Sequence, residues 1–161
     1  MSAVLKWDSE DWRKVRDANL LVWMCGNQSA VDVVVMLSTI AETWDDLFDG
    51  DKKVPRDRLN EALSMALVKL QVNEFYKSNE AIFWSLTVAA INAWMDANEL
   101  QESNLRHERM LAFHIRNFGY EIASMAAFRT GGWEHLRRVS LEMRRFFAHE
   151  DYDSWEHRHA D

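Results

Sequence analysis

The chain has 161 residues, of which 48% are hydrophobic and 28% are charged, a balance that is typical of one globular domain and excludes a disordered chain. A formal net charge of −7 argues against nucleic-acid binding, because such proteins take most of their affinity from cationic side chains on phosphates. A single cysteine cannot form an internal disulfide, and no apolar run is long enough for a membrane span or a signal peptide, so we expect a cytoplasmic protein.

Glycine and proline, the usual helix breakers, are rare, with five glycines and one proline, and this predicts an all-α fold of long helices. We expect about six helices in one bundle, over residues 10–24, 29–48, 57–70, 79–98, 104–129 and 133–147. Ser9 is the predicted N-cap of the first helix, and Gly50 is the predicted left-handed stop of the second. The domain then spans 1–148, and 149–161 is a loosely held acidic tail that contains His149, His157 and His159.

The fourth predicted helix, 79–98, is apolar around most of its circumference. Only Ser85, Asn92, Asp96 and Glu99 form a narrow polar stripe on it. A helix of this kind usually lies in the middle of a bundle, so we expect it to be buried, with mostly antiparallel helices around it. In the third helix, leucines and an alanine share one face at helical spacing, as expected for a core-facing stripe.

Tryptophan and methionine are unusually frequent, with eight of each. Most of them should fill the core, since aromatic side chains bury large apolar areas. Both residue types are also enriched in protein–protein interfaces, so some should lie in an interface. The composition therefore favours a homo-oligomer or a protein with an obligate partner.

The stretch "ETWDDLFDGDKKVP", residues 42–55, concentrates acidic side chains at the end of the second helix. Its acids lie opposite the apolar face of that helix, which indicates a solvated acidic face. They also face the negative end of the helix dipole, which costs about 0.3–1 kcal/mol for each acid that is not compensated. Lys52, Lys53, Arg56 and Arg58, a divalent cation or a basic partner could supply the compensation.

A metal site is the alternative hypothesis for these acids. If the helices alternate in direction, the end of the second helix lies beside the end of the fourth, and oxygen ligands from both could hold Mg²⁺ or Mn²⁺. The candidate ligands are Glu42, Asp45, Asp46, Asp49, Asp96 and Glu99. Their spacing departs from that of helical nucleotide pyrophosphatases, because the two acidic pairs are far apart in sequence and the second pair is reversed.

A second polar group lies on the fifth predicted helix, where His114, Asn117 and Glu121 share one side. This spacing indicates a polar network between helices, and a His–Glu pair could also move a proton or hold a metal. Together with Asp51, these residues are the candidates for a polar network or for partner binding. The arginines of the sixth helix are typical of a solvated outer face. No residue is assigned a catalytic role.

The segments "ETWDDLFDGDKKV", "NEFY", "INAWMDANE" and "LAFHIRNFGYEI" resemble small uncharacterised helical proteins of tailed bacteriophages, over most of residues 30–147. The resemblance implies a phage origin, with the bacterial cytoplasm or the virion as its setting. It carries no assigned activity and no catalytic residue.

These observations favour a non-enzymatic phage accessory or assembly protein. It would act through Trp/Met-rich and acidic helical surfaces, binding itself or another phage or host protein, with no cofactor. The alternative is a hydrolase of nucleotides or phosphoesters that depends on Mg²⁺ or Mn²⁺.

Overall fold

A computed structural model describes residues 9–50, 53–148 and 151–159, and in these ranges the protein contains helices and no strand. The helices are α1 (Glu10–Trp23), α2 (Gln28–Asp49), α3 (Arg56–Ser64), a π-helical segment (Met65–Lys69), α4 (Leu70–Val72), α5 (Glu74–Ser78), α6 (Glu80–Gln101), α7 (Arg106–Ile115), α8 (Gly119–Phe147) and α9 (Tyr152–His159). The prediction of an all-α, single-domain helical bundle is confirmed.

Two helix ends form for the reasons visible in the sequence. The hydroxyl of Ser9 accepts a hydrogen bond from the Trp12 amide at 3.2 Å, which caps α1. Gly50 has a φ of 67° at the end of α2, a left-handed conformation that glycine adopts without strain. Both predicted helix boundaries are confirmed. They could be predicted because each depends on one residue at the end of the helix, either through its side chain or through its backbone conformation.

The main core lies where α1, α2 and α8 meet. Trp23 is fully buried there, and its ring packs edge-on against Phe146 at a centroid distance of 5.5 Å. The ring of His135 on α8 hydrogen-bonds the backbone carbonyl of Trp23 at 2.7 Å and ties the end of α1 to α8. A kink at Gly132, with a φ of 76°, divides α8, and its second half corresponds to the sixth predicted helix.

Contacts at both ends of α2 fix the directions of its neighbours. Ser29, at the start of α2, hydrogen-bonds Asn73, which follows α4, at 2.9 Å. Arg58, at the start of α3, reaches Glu42 near the other end of α2. The stretch from α3 to α4 therefore runs antiparallel to α2. The helix that follows, α6, returns parallel to α2, because its residue Trp94 contacts Asp45 near the end of α2.

The prediction of one helix over 104–129 is wrong, because the regular helix is interrupted at residues 116–118, between α7 and α8. Asn117 and Gly119 both have low helix propensity. The side-chain amide of Asn117 donates instead to the backbone carbonyl of Phe147 at 3.3 Å, and Arg116 turns towards α2. Long-range contacts at the break therefore replace the regular helix.

The prediction of a buried central helix is also wrong. Only Phe83 and Ala97 are buried in α6, although its span agrees with the predicted one to within three residues. The break at 116–118 directs α7 along α6, while α8 packs chiefly on α1 and α2. Within the described part of the chain, no helix covers the side of α6 that faces away from α7.

The segment predicted as a loosely held tail contains α9, which packs on the bundle. Trp155 is 3% exposed and lies with Ala97 and Ala112 in a second, smaller apolar cluster. The rings of Trp155 and Phe113 are 5.5 Å apart. Burial of an aromatic side chain stabilises this docking, so α9 belongs to the folded domain.

Candidate interaction surface

The exposed side of α6 carries an apolar stripe, formed by Trp84, Val88, Ile91 and Met95. Each of these side chains is between 50% and 64% exposed. Their spacing of four, three and four residues is that of the seam by which one helix packs against another in a coiled coil. The stripe therefore has the pattern of a helix-packing surface.

A second group of exposed apolar side chains lies at the end of α2, formed by Trp44, Leu47 and Phe48. The half-buried ring of Trp94 links this group to α6. Its centroid lies 4.8 Å from the ring of Phe48 and 6.3 Å from that of Trp44, both in edge-to-face geometry. The aromatic end of α2 and the α6 stripe are thus neighbours.

A third group, formed by Leu59, Leu63 and Leu67, follows α3 into the π-helical segment. The first two groups are joined through the ring of Trp94, and we call them together the apolar face. Its members are Trp44, Leu47, Phe48, Trp84, Val88, Ile91 and Met95.

The apolar face is large for a single chain. Its seven side chains are between 46% and 64% exposed. With about 150–250 Å² for each aromatic side chain and somewhat less for each aliphatic one, they present on the order of 700 Å². The largest apolar patch on a typical monomer covers about 300–600 Å², so this face is typical of an interaction site.

The acidic side chains at the end of α2 contact arginines from two other parts of the chain. Arg58 lies 3.4 Å from a carboxylate oxygen of Glu42 and 3.4 Å from one of Asp46. Arg58 is one of the four basic residues that the sequence suggests for this role. Its positive charge offsets the unfavourable interaction of Glu42 and Asp46 with the negative end of the helix dipole.

Arg116 compensates the other two acids. Its guanidinium lies 3.1 Å from Asp45 and 3.8 Å from Asp49. Asp45 also accepts a hydrogen bond from the indole nitrogen of Trp94 at 2.7 Å. Arg116 is separated from Asp45 by 71 residues, and no local sequence signal connects them. Asp51 lies outside the described residues.

The other two candidate metal ligands, Asp96 and Glu99, lie on the exposed polar stripe of α6. Asp96 accepts a hydrogen bond from the amide of Asn92 at 2.9 Å. Over residues 9–50, 53–148 and 151–159, no group of three or more His, Cys, Asp or Glu side chains is placed to hold a metal ion. The metal site stays a prediction that this geometry does not support.

The polar group predicted on the fifth helix is divided by the break at 116–118. His114 is exposed near the end of α7, and Asn117 lies in the break itself. Glu121, in the first turn of α8, accepts a hydrogen bond from Arg144 at 3.3 Å. The three residues therefore do not share one helix face, and the prediction that they do is wrong.

A polar network that the sequence analysis missed fastens α9 to α7. The carboxylate of Glu156 accepts hydrogen bonds from the Tyr152 hydroxyl at 2.6 Å and from Arg109 at 2.7 Å. These two donors lower the pKa of Glu156. Burial and the hydrogen bond to Glu156 raise the pKa of Tyr152. The network explains why this acidic segment remains attached to the bundle.

One open groove lies between α6 and α8, on the side of α6 away from the apolar stripe. Its volume is about 340 Å³, and its lining residues are Leu86, Glu121, Ser124, Met125, Phe128, Trp133 and Leu136. The groove is wide open to solvent, which is typical of a surface depression and not of an enclosed ligand site.

Comparisons with protein-family models, curated proteins and solved structures gave no match. Among the described residues, no helix is both long enough and apolar enough to cross a membrane.

Proposed function

We propose that the protein is a non-enzymatic interaction protein, which uses the apolar face to bind a helical surface of a protein partner. The observation that carries this proposal is the stripe on α6, which has helix-packing spacing and stays at least half exposed. Burying such a stripe removes apolar area from water, and each aliphatic side chain that is already about half buried contributes about 1 kcal/mol more when it becomes fully buried.

The acidic end of α2 has a supporting role in this proposal. Its carboxylates are held by Arg58 and Arg116, and Asp45 orients Trp94 beneath the exposed rings of α2. These carboxylates therefore position the apolar face and are not its main point of attachment. An assembly or accessory role in a tailed bacteriophage follows from the resemblance alone.

Affinity capture from cells that produce the protein naturally tests the proposal. Three tagged baits are compared: the wild type, Val88→Asp/Ile91→Asp on the stripe, and Ser85→Asp/Ala89→Asp as the control. The control adds the same charge to other exposed positions of α6. An untagged copy of the chain is scored along with every other captured protein.

We expect the wild type and the control to retain the same partner and the stripe variant to lose it, since buried carboxylates without a counter-charge are strongly unfavourable. Equal capture by all three baits would show that binding uses another surface. Capture of nothing by the wild type would remove the basis of the proposal.

A further inference from the structure

We infer that the partner on the apolar face is a second copy of this chain, in a two-fold symmetric dimer that packs α6 antiparallel against the second α6. This inference rests on the proposed function, and it identifies the partner and the arrangement. Three properties of the face support it: its area, its charge and the order of its side chains.

The first property is area. A standard protein–protein interface buries about 800 Å² on each partner. The apolar face offers on the order of 700 Å², which lies within the range of about 600–1,000 Å² per partner that standard interfaces bury. Symmetric dimers are also the commonest assembly of soluble proteins, and each uses the same patch on both copies.

The second property is charge. A chain with a net charge of −7 repels its own copy unless the surfaces that meet are neutral. All seven members of the apolar face are uncharged. The acids beside it at the end of α2 are paired with Arg58 and Arg116. Asp96 and Glu99 lie beside one end of the stripe, so two copies avoid bringing these carboxylates together when that end of each α6 points away from the same end of the other.

The third property is the order of side chains along α6. In an antiparallel pair that is centred between Val88 and Ile91, these two residues meet each other across the axis. Trp84 then meets Met95, which is a favourable contact between a sulfur atom and an aromatic ring.

A parallel pair in register would be less favourable. It would place each tryptophan against its own copy. It would also bring the carboxylates of Asp96 and Glu99 next to those of the partner, and it would align the two helix dipoles. The antiparallel pair avoids all three effects, so we assign that orientation.

Sedimentation equilibrium of the purified full chain, across the micromolar range, tests for the second copy. We expect the mass of two chains for the wild type and for Ser85→Asp/Ala89→Asp. The variant Val88→Asp/Ile91→Asp should have the mass of one chain, with self-association weakened about a hundredfold or more. Circular dichroism should show equal helicity for all three, because both stripe positions are exposed within one chain.

A monomeric wild type would overturn the inference, and face-dependent capture of a different protein would then leave the proposed function standing. A stripe variant that stays dimeric with full helicity would also overturn the inference, because the two copies would then meet through another surface. The proposed function fails only if all three baits capture the same partners equally or the wild type captures nothing. These outcomes separate a failure of the inference from a failure of the proposed function.

Cysteine cross-linking tests the orientation in a Cys25→Ser background. We expect an equimolar mixture of Val88→Cys and Ile91→Cys chains to form disulfide dimers faster than either chain alone. In a parallel pair each variant alone would cross-link as fast as the mixture, and that result would overturn the antiparallel arrangement.

Discussion

Replacing Arg116 by glutamine should destabilise the fold more than any change at an exposed ion pair. The Arg116 side chain is only 13% exposed and contacts Asp45 and Asp49 on α2. It also donates to Gln101 at 3.0 Å and lies 5.8 Å from the centre of the Trp155 ring. One guanidinium therefore joins α2, α6 and α9 at the point where the predicted fifth helix breaks.

The expected loss follows from the partial burial of this pair. Exposed ion pairs contribute about 0–1 kcal/mol, and removing one partner of a fully buried pair costs about 3–5 kcal/mol. Asp45 is 40% exposed, so the pair lies between these limits. We expect Arg116→Gln to reduce the free energy of unfolding by about 2 kcal/mol, which includes about 0.5 kcal/mol for the contact with Trp155.

Urea unfolding at one fixed protein concentration measures this loss, and the fixed concentration matters because dimer formation would shift the apparent stability. The control is Lys14→Gln, which removes a largely exposed ion pair with Glu10 and should lower the free energy of unfolding by less than about 0.5 kcal/mol. Combining Arg116→Gln with Asp45→Asn should reveal a coupling energy of about 1 kcal/mol. A loss no larger than that of Lys14→Gln, or no coupling, would refute the structural role assigned to Arg116.

Three further predictions concern α9 and the acidic segment. Trp155→Ala should lower the free energy of unfolding by roughly 3 kcal/mol, since the buried ring holds α9 on the bundle. In this variant α9 should lose its hydrogen-exchange protection before α1 does. Because the pKa of Glu156 is lowered in the folded state, its carboxylate stabilises the fold fully above the ordinary carboxyl range, and this contribution is lost as the pH falls through the lowered pKa. The hydrogen-exchange protection of α9 should therefore fall in acid. In Glu156→Gln it should fall less steeply with pH. The thermal midpoint should be the same in EDTA and in millimolar Mg²⁺ or Mn²⁺, because arginines hold four of the six candidate ligands, those at the end of α2. A rise that disappears in Glu42→Gln/Asp46→Asn would instead support the metal alternative.

Local signals in the sequence predict the helices well where the structure depends on neighbours in the chain. Ser9 caps α1 through an amide three residues away, and Gly50 ends α2 by its own backbone freedom. The break at 116–118 depends instead on Asn117 reaching Phe147, a residue 30 positions away. No periodic pattern records such a contact.

Apolar periodicity identifies the stripes on α3 and α6 but cannot tell what covers them. Leu63 on α3 and Ile91 on α6 have the spacing of core residues, yet both are 56% exposed. A stripe that packs inside one chain and a stripe that packs against another chain have the same helical spacing of apolar residues, because in both cases packing removes apolar surface from water. The exposed stripes therefore account for the wrong prediction of a central helix, and they are also the main feature that supports a partner.

The acidic and the Trp/Met-rich surfaces, which the sequence analysis treats as separate, meet at Asp45. Its carboxylate accepts hydrogen bonds from both Arg116 and Trp94. The ring of Trp94 packs in turn against Phe48 and Trp44, which are exposed members of the apolar face. The carboxylate of Asp45, whose charge is offset by Arg116, thus fixes the indole of Trp94, and this indole supports the rings of Trp44 and Phe48. Acids at the end of α2 are unfavourable for the helix itself, but here they orient the aromatic side chains that a partner would contact.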